Sequence, residues 1–180
     1  MASHGVIAAV RDAIASRRVS AEEAVRHALE RIERHDGAIN AVVALRAEEA
    51  LAEARALDGA GGTGGALAGV PVLVKDLEDV AGMRTTQGSV LFADAPPAKA
   101  DGLVPSRLRA AGGIVVGKTN LPEFACEGYT SNLLFGTAGT RSASATIRLG
   151  GGWGCWQRPS GPPGRSNAPS QTSDRSGRSR

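Results

Sequence analysis

With 180 residues, 42% of them hydrophobic and 22% charged, the chain can bury an ordinary core, and aromatics at only 3% leave that core to Val, Leu, Ile and Ala. No run of about 18 apolar residues is available to span a bilayer, and the opening residues lack the basic-plus-apolar pattern of a signal peptide, which implies a cytoplasmic protein with no membrane partner. The net charge of +3 does not imply a nucleic-acid partner, because residues 1–140 hold 14 Lys+Arg against 17 Asp+Glu, and the positive charge sits in residues 141–180, where seven Arg face one acid, Asp174.

Val6, Val10 and Ile14 recur at helical spacing and predict a first amphipathic helix. Ser20-Ala-Glu-Glu23 has the form of a capping box, so a second helix is expected to start there, carrying Val25, Ala28, Leu29 and Ile32 as one apolar stripe. Arg46 to Leu57, dense in Ala, Glu and Leu, predicts a third helix before residue 58. Gly59 to Gly65 reads as a connector, and Val70-Pro-Val-Leu-Val74 as a buried strand bounded by Gly69 and by Lys75-Asp76. A short helix is expected over Ser106 to Ala111 and a second strand over Ile114 to Val116. Asn120-Leu-Pro-Glu123 predicts another helix start, with Asn120 as cap. Alternation of this kind implies parallel strands with crossover helices, and the expected architecture is α/β, a helical N-terminus followed by a mixed sheet.

The character of the sequence changes at residue 140. Ser, Gly, Arg and Pro supply 26 of the 40 residues from 141 to 180, with no sustained periodicity, so this basic tail is expected to be disordered. Such a composition fits a native extension or out-of-frame translation of a GC-rich coding sequence; the second reading is preferred here. The domains are therefore taken as 1–140, an incomplete globular unit, and 141–180, a low-complexity tail.

Two cysteines, Cys126 and Cys155, and three histidines confined to the first 35 residues give no disulfide framework and no metal knuckle. His27 and His35 are read as part of a solvated helix face. Gly112-Gly-Ile-Val-Val-Gly-Lys-Thr119 satisfies the phosphate-loop pattern letter for letter, which makes a nucleotide-binding module the alternative from another functional class. Its context opposes that reading, since a helical segment precedes it, Ile114 to Val116 is itself strand-like, and Pro122 follows too soon. Lys75 is different. A lysine at the end of a buried apolar strand is partly desolvated, which favours the neutral amine and makes it a possible base. The plainer reading is a surface residue or a partner for Asp76 or Glu78.

The joined text Leu67-Ala-Gly-Val-Pro-Val-Leu-Val-Lys-Asp76, Gly82-Met-Arg-Thr-Thr86 with Gly88-Ser89, and Leu108-Arg-Ala-Ala-Gly-Gly-Ile-Val-Val-Gly-Lys-Thr-Asn-Leu-Pro-Glu-Phe124 closely resembles the amidase-signature family. The similarity takes in Glu30 to Glu33 and Asn40-Ala41 and runs on through Asn132 to Gly136, covering nearly all of residues 5–140. The resemblance implies an α/β/α hydrolase that cleaves the C–N bond of a small-molecule amide without a metal or organic cofactor. It also admits the subunit that releases ammonia from glutamine for tRNA-dependent amidation. The family's catalytic trio is a lysine, a bridging serine and a nucleophilic serine, a variant of the familiar acyl-transfer arrangement. Lys75 matches the lysine.

The remainder of the trio has no match here. Where the family carries a Gly-Gly-Ser-Ser-Gly-Gly-Ser stretch soon after the block matching Asn132 to Gly136, this sequence has Gly139-Thr-Arg-Ser-Ala-Ser144 and later Leu149-Gly-Gly-Gly-Trp153. Ser142, Ser144 and Ser160 are not carried over as catalytic, and the 180-residue chain is expected to be a truncated, inactive form.

Overall fold

The computed structural model describes residues 5–61 and 65–139. Helices α1 (Val6–Ala15) and α2 (Ala21–Ile39) form where apolar spacing places them. The capping box is complete: Ser20 Oγ accepts from the Glu23 N–H at 3.0 Å, and the Glu23 carboxylate accepts from the Ser20 N–H at 2.8 Å. The Asp58 carboxylate takes two further helix-start donors, the N–H groups of Ala21 and Glu22, so the end of a later helix anchors the start of α2. Helix α2 stops at Asn40, which adopts the left-handed conformation at φ 55°.

Between α2 and helix α3 (Ala47–Gly59) lies strand β1 (Val42–Leu45), which the sequence reading did not anticipate. Strand β2 (Pro71–Lys75), helix α4 (Leu103–Ala110) and strand β3 (Ile114–Thr119) follow, and a small hairpin of β4 (Ser131–Asn132) and β5 (Gly136–Thr137) closes the described part. The three-stranded sheet has the order β1-β3-β2. Strands β2 and β3 are parallel, as the crossover pattern requires, and β1 runs antiparallel to β3, which makes the sheet mixed, as expected. Glycine at position 117 makes the β1 pairing possible, because a Cβ there would lie 2.3 Å from the Ala44 carbonyl oxygen.

The sheet separates two cores. On one side Ile114 and Val116 join Ile14, Ala21, Val25, Ala50 and Ala54 beneath helices α1 to α3. On the other, Val115 joins Val74, Val80 and Met83, with Val72 and Leu108 against them. Aliphatic residues dominate both, as the shortage of aromatics demands. Val70 to Val74 is not the uniformly buried strand expected: Val74 is 3% exposed and Leu73 37%. The reason is the period of two, since β2 is an outer strand with one face on the second core and the other partly open.

The helix expected from Asn120 does not form. Asn120 Oδ1 accepts from the Leu121 N–H and from the Asn132 side chain, Pro122 is extended, and Phe124 and Ala125 take positive φ, so only one turn of 3-10 helix exists, over Glu123–Ala125. The basic tail and its expected disorder lie outside the described residues, as do Ser142, Ser144 and Ser160.

Candidate active site

Lys75 ends β2 opposite Thr119, which ends β3 in parallel register. The Asp76 N–H donates to the Thr119 carbonyl at 3.0 Å, the Gln87 N–H to the Asp76 carbonyl at 3.0 Å, and the Phe124 N–H to the Gln87 carbonyl at 2.9 Å. Two strand ends and two loops thus meet at the carboxyl edge of the parallel pair, the part of an α/β sheet where sites are commonly built. The Lys75 side chain is half-buried. Burial pushes its amine below the ordinary lysine value, and the nearby Glu78 carboxylate opposes the shift without cancelling it. A lysine in that condition supplies more neutral amine at a given pH than a fully hydrated one.

Asp76, which the sequence offered as a neighbour for Lys75, pairs elsewhere. Its carboxylate is buried and lies 2.7 Å from Lys118 Nζ, which is itself fully buried. Lys118 Nζ also donates to the Arg84 carbonyl at 2.7 Å and to Thr85 Oγ1 at 2.8 Å, while the N–H and hydroxyl of Thr86 donate to Asp76. Every donor of the ammonium group has a partner, which is what a buried charge requires.

This geometry overturns the phosphate-loop alternative built on Gly112 to Thr119. Ile114 through Thr119 is a strand, no α-helix follows it among the described residues, and the lysine of the motif is committed to Asp76 rather than pointing into an anion cradle. Lys118 itself lies within β3, one residue before its end.

A second network missed from sequence braces the same corner. The Asn132 side chain donates to Asn120 Oδ1 and to the Leu121 carbonyl, both at 2.8 Å, and accepts from the N–H groups of Leu134 and Phe135. Asn120 Nδ2 donates to the Asn40 carbonyl, and Asn40 Nδ2 to the Phe135 carbonyl at 2.7 Å, so three asparagines join α2, β3 and the terminal hairpin. The available signal was that each stands at an element boundary, Asn40 after α2, Asn120 after β3 and Asn132 at the end of β4. Gly88 passes close under this network: it has φ 67°, and a Cβ there would meet the Leu121 carbonyl oxygen at 3.0 Å.

Two concavities flank the sheet. One of about 510 Å³ lies beside Arg46, Asp76, Met83, Arg84 and Phe135; the other, of about 920 Å³ and largely apolar, runs between α1, α2 and β2 past Val10, Ile32, Ile39 and Leu73. Lys75 lines neither. His27 and His35 border the apolar groove, and among the described residues no three His, Cys, Asp or Glu side chains converge as a metal site.

The family model described as Amidase matches residues 23–151. The chain belongs to the amidase family. The match overlaps the first part of the basic tail set apart by composition. Among related sequences, the chain is 46% identical over 147 residues to a glutamyl-tRNA(Gln) amidotransferase subunit of Nitratidesulfovibrio vulgaris (strain DP4), covering 81% of the chain and 29% of that protein. Among solved structures it matches a chain from a vestigial protein complex bearing on the origin of an s-triazine catabolic enzyme, at a TM-score of 0.73 and 36% identity over 81% of this chain and 33% of that one. It also matches a bacterial aryl acylamidase of the amidase signature family at a TM-score of 0.66 and 31% identity, over 71% of this chain and 27% of that one. The chain therefore spans under a third of the length of the curated relatives it matches. Among the described residues no helix is long and apolar enough to cross a membrane.

Proposed function

We propose that this chain carries the base-bearing part of a serine-dependent amidase, with Lys75 as the general base for hydrolysis of a carboxamide C–N bond. The observation that supports it is a half-buried lysine with a depressed amine pKa at the carboxyl end of a parallel strand, in a chain of the amidase family. Neutral Nζ would accept a proton relayed through a bridging serine from a nucleophilic serine, whose oxygen then attacks the amide carbon. The same proton would return to the leaving amine as the C–N bond breaks, and water would release the acyl group by the reverse relay. Backbone N–H groups of a glycine-rich loop would hold the oxyanion. The protein is read as cytoplasmic and its partner as a small-molecule amide.

Neither serine can be assigned within this sequence, so the 180-residue chain is proposed to be inactive alone, and its tail to be out of frame. Reading the coding DNA in its other two frames beyond codon 136 tests the second point: a Gly-Gly-Ser-Ser-Gly-Gly-Ser-like segment is expected in one of them, and its absence from both would leave the tail as a native extension. For the base, the test is carboxamide hydrolysis by the frame-restored enzyme. Lys75→Ala should lower kcat by about 10²–10⁴-fold with a smaller effect on KM, and near-full kcat in that variant would remove Lys75 from the chemistry. The similarity to a glutamyl-tRNA(Gln) amidotransferase favours glutamine as a second reading of the substrate. Ammonia release from glutamine, compared with release from simple aliphatic and aryl amides, separates the two.

A further inference from the structure

The buried pair of Lys118 and Asp76 takes no part in the proposed chemistry, yet it sits one residue from the base. Lys118 Nζ holds three oxygens that belong to two different stretches of chain: Asp76 directly after β2, and Arg84 and Thr85 at the far end of the loop that follows. Asp76 closes the same loop from its other side by accepting from Thr86, and its main chain is fixed at both ends, N–H to Thr119 and carbonyl to Gln87. The Lys75-Asp76 peptide is therefore held between β3 and the loop end, and the latch is a single side chain from β3. We propose that the Lys118–Asp76 pair is a positioning device that fixes the end of β2 and so sets the placement and solvation of Lys75.

A merely structural ion pair would lower stability when removed and leave the local environment of Lys75 unchanged in any variant that still folds. A positioning pair predicts more: when it is lost, the strand end loosens, water reaches Lys75 and the amine behaves more like a hydrated one. Removing one partner alone would strand a buried charge, so the informative variant neutralises both, Asp76→Asn with Lys118→Met, which keeps an acceptor for Thr86.

This inference rests on the reading of Lys75 as a base, and the experiment separates the two. In the full chain, the pH dependence of acylation by acetic anhydride is followed by mass spectrometry for Lys75 against a free model amine, Nα-acetyl-lysine amide, alongside hydrogen exchange at the amides of Asp76 and Gln87. If wild-type Lys75 titrates together with the free model amine, the base reading fails, and the exchange data alone judge the latch. With the base reading intact, the paired variant should move the Lys75 midpoint up toward that of the free model amine and speed exchange at both amides at least about tenfold while keeping a wild-type far-UV spectrum and a cooperative melt. A folded paired variant with unchanged midpoint and unchanged exchange overturns the proposal. Should that variant not fold, Thr85→Val decides by the same readouts: it removes one acceptor from Nζ and leaves both charges, and it should shift both in the same direction by less, whereas no shift in either refutes the latch.

Discussion

Lys75 and Lys118 stand in register-adjacent positions of neighbouring strands, on opposite faces, and their environments assign them opposite work. Lys118 is sealed with a carboxylate and two neutral oxygens around it, so its charge is compensated in place. Lys118→Ala should cost about 3–5 kcal/mol in urea unfolding, because it leaves the Asp76 carboxylate buried without a counter-charge. A cost under about 1 kcal/mol would mean that water reaches Asp76. Lys75 is predicted to behave in the reverse sense. Its amine is held below the ordinary lysine value, so the folded state binds its proton less readily than the unfolded chain does. The resulting destabilisation is present at neutral pH and fades as pH rises through the folded pKa toward the unfolded one. Lys75→Met should therefore be at least as stable as wild type at pH 7, with the difference shrinking at alkaline pH; a marked loss of stability at pH 7 would contradict the desolvated environment. The sequence showed Lys75 because a short apolar strand leads straight into it. It did not show the role of Lys118, since its partner Asp76 follows a different strand and only the parallel register brings Val74 and Lys118 alongside each other.

At the level of elements, periodicity was legible where a pattern ran long enough to count. Helices α1 and α2 and the capping box at Ser20 were readable because each is written in local spacing, and Ser20→Ala is expected to cost about 1 kcal/mol in thermal or urea unfolding. Strand β1 escaped because it has only four residues between the left-handed Asn40 and the start of α3, too few for alternation to declare itself, and its pairing depends on a glycine far along the chain. The missing helix after Asn120 was a case of capping chemistry diverted: the same side-chain oxygen that would cap a helix is taken by Leu121 and Asn132. Strand β2 allows a sharper test of where burial lies. Val74→Ala should cost about 2 kcal/mol, whereas Leu73→Ala, at a position 37% exposed, should cost distinctly less. Equal costs would mean that the outer face of β2 is covered in solution.

Across the whole molecule, charge arrangement links the two sides of the sheet. Helix α3 contributes to the core on one face and α4 packs toward the other, and Glu53 joins them: its carboxylate oxygens lie 2.7 Å from Arg46 and 2.8 Å from Arg109. Arg46 in turn donates to the Val115 carbonyl at 2.9 Å, and Arg109 Nε lies 2.8 Å from Asp101 Oδ2, an ion pair whose alignment falls short of a hydrogen bond. Composition could report the net charge of residues 1–140 but not this wiring, which depends on the register of three separated segments. Burial by itself would raise the Glu53 carboxyl, but the hydrogen bond and charge of Arg46, with those of Arg109, outweigh it and hold the group below the ordinary glutamate value. A depressed carboxyl contributes stability that is fully present above its unfolded pKa and is lost as pH falls through the folded one. Glu53→Gln should therefore be less stable than wild type from pH 6 to 7, by about 1 kcal/mol because part of the side chain remains in solvent, and the gap should close as both proteins are taken below the unfolded glutamate pKa. Urea unfolding of the pair at pH 7 and at successive acid steps measures that gap directly. A gap that stayed constant down to acid unfolding would show that the glutamate acts through packing and neutral hydrogen bonds, and that its charge does not tie α3 to α4.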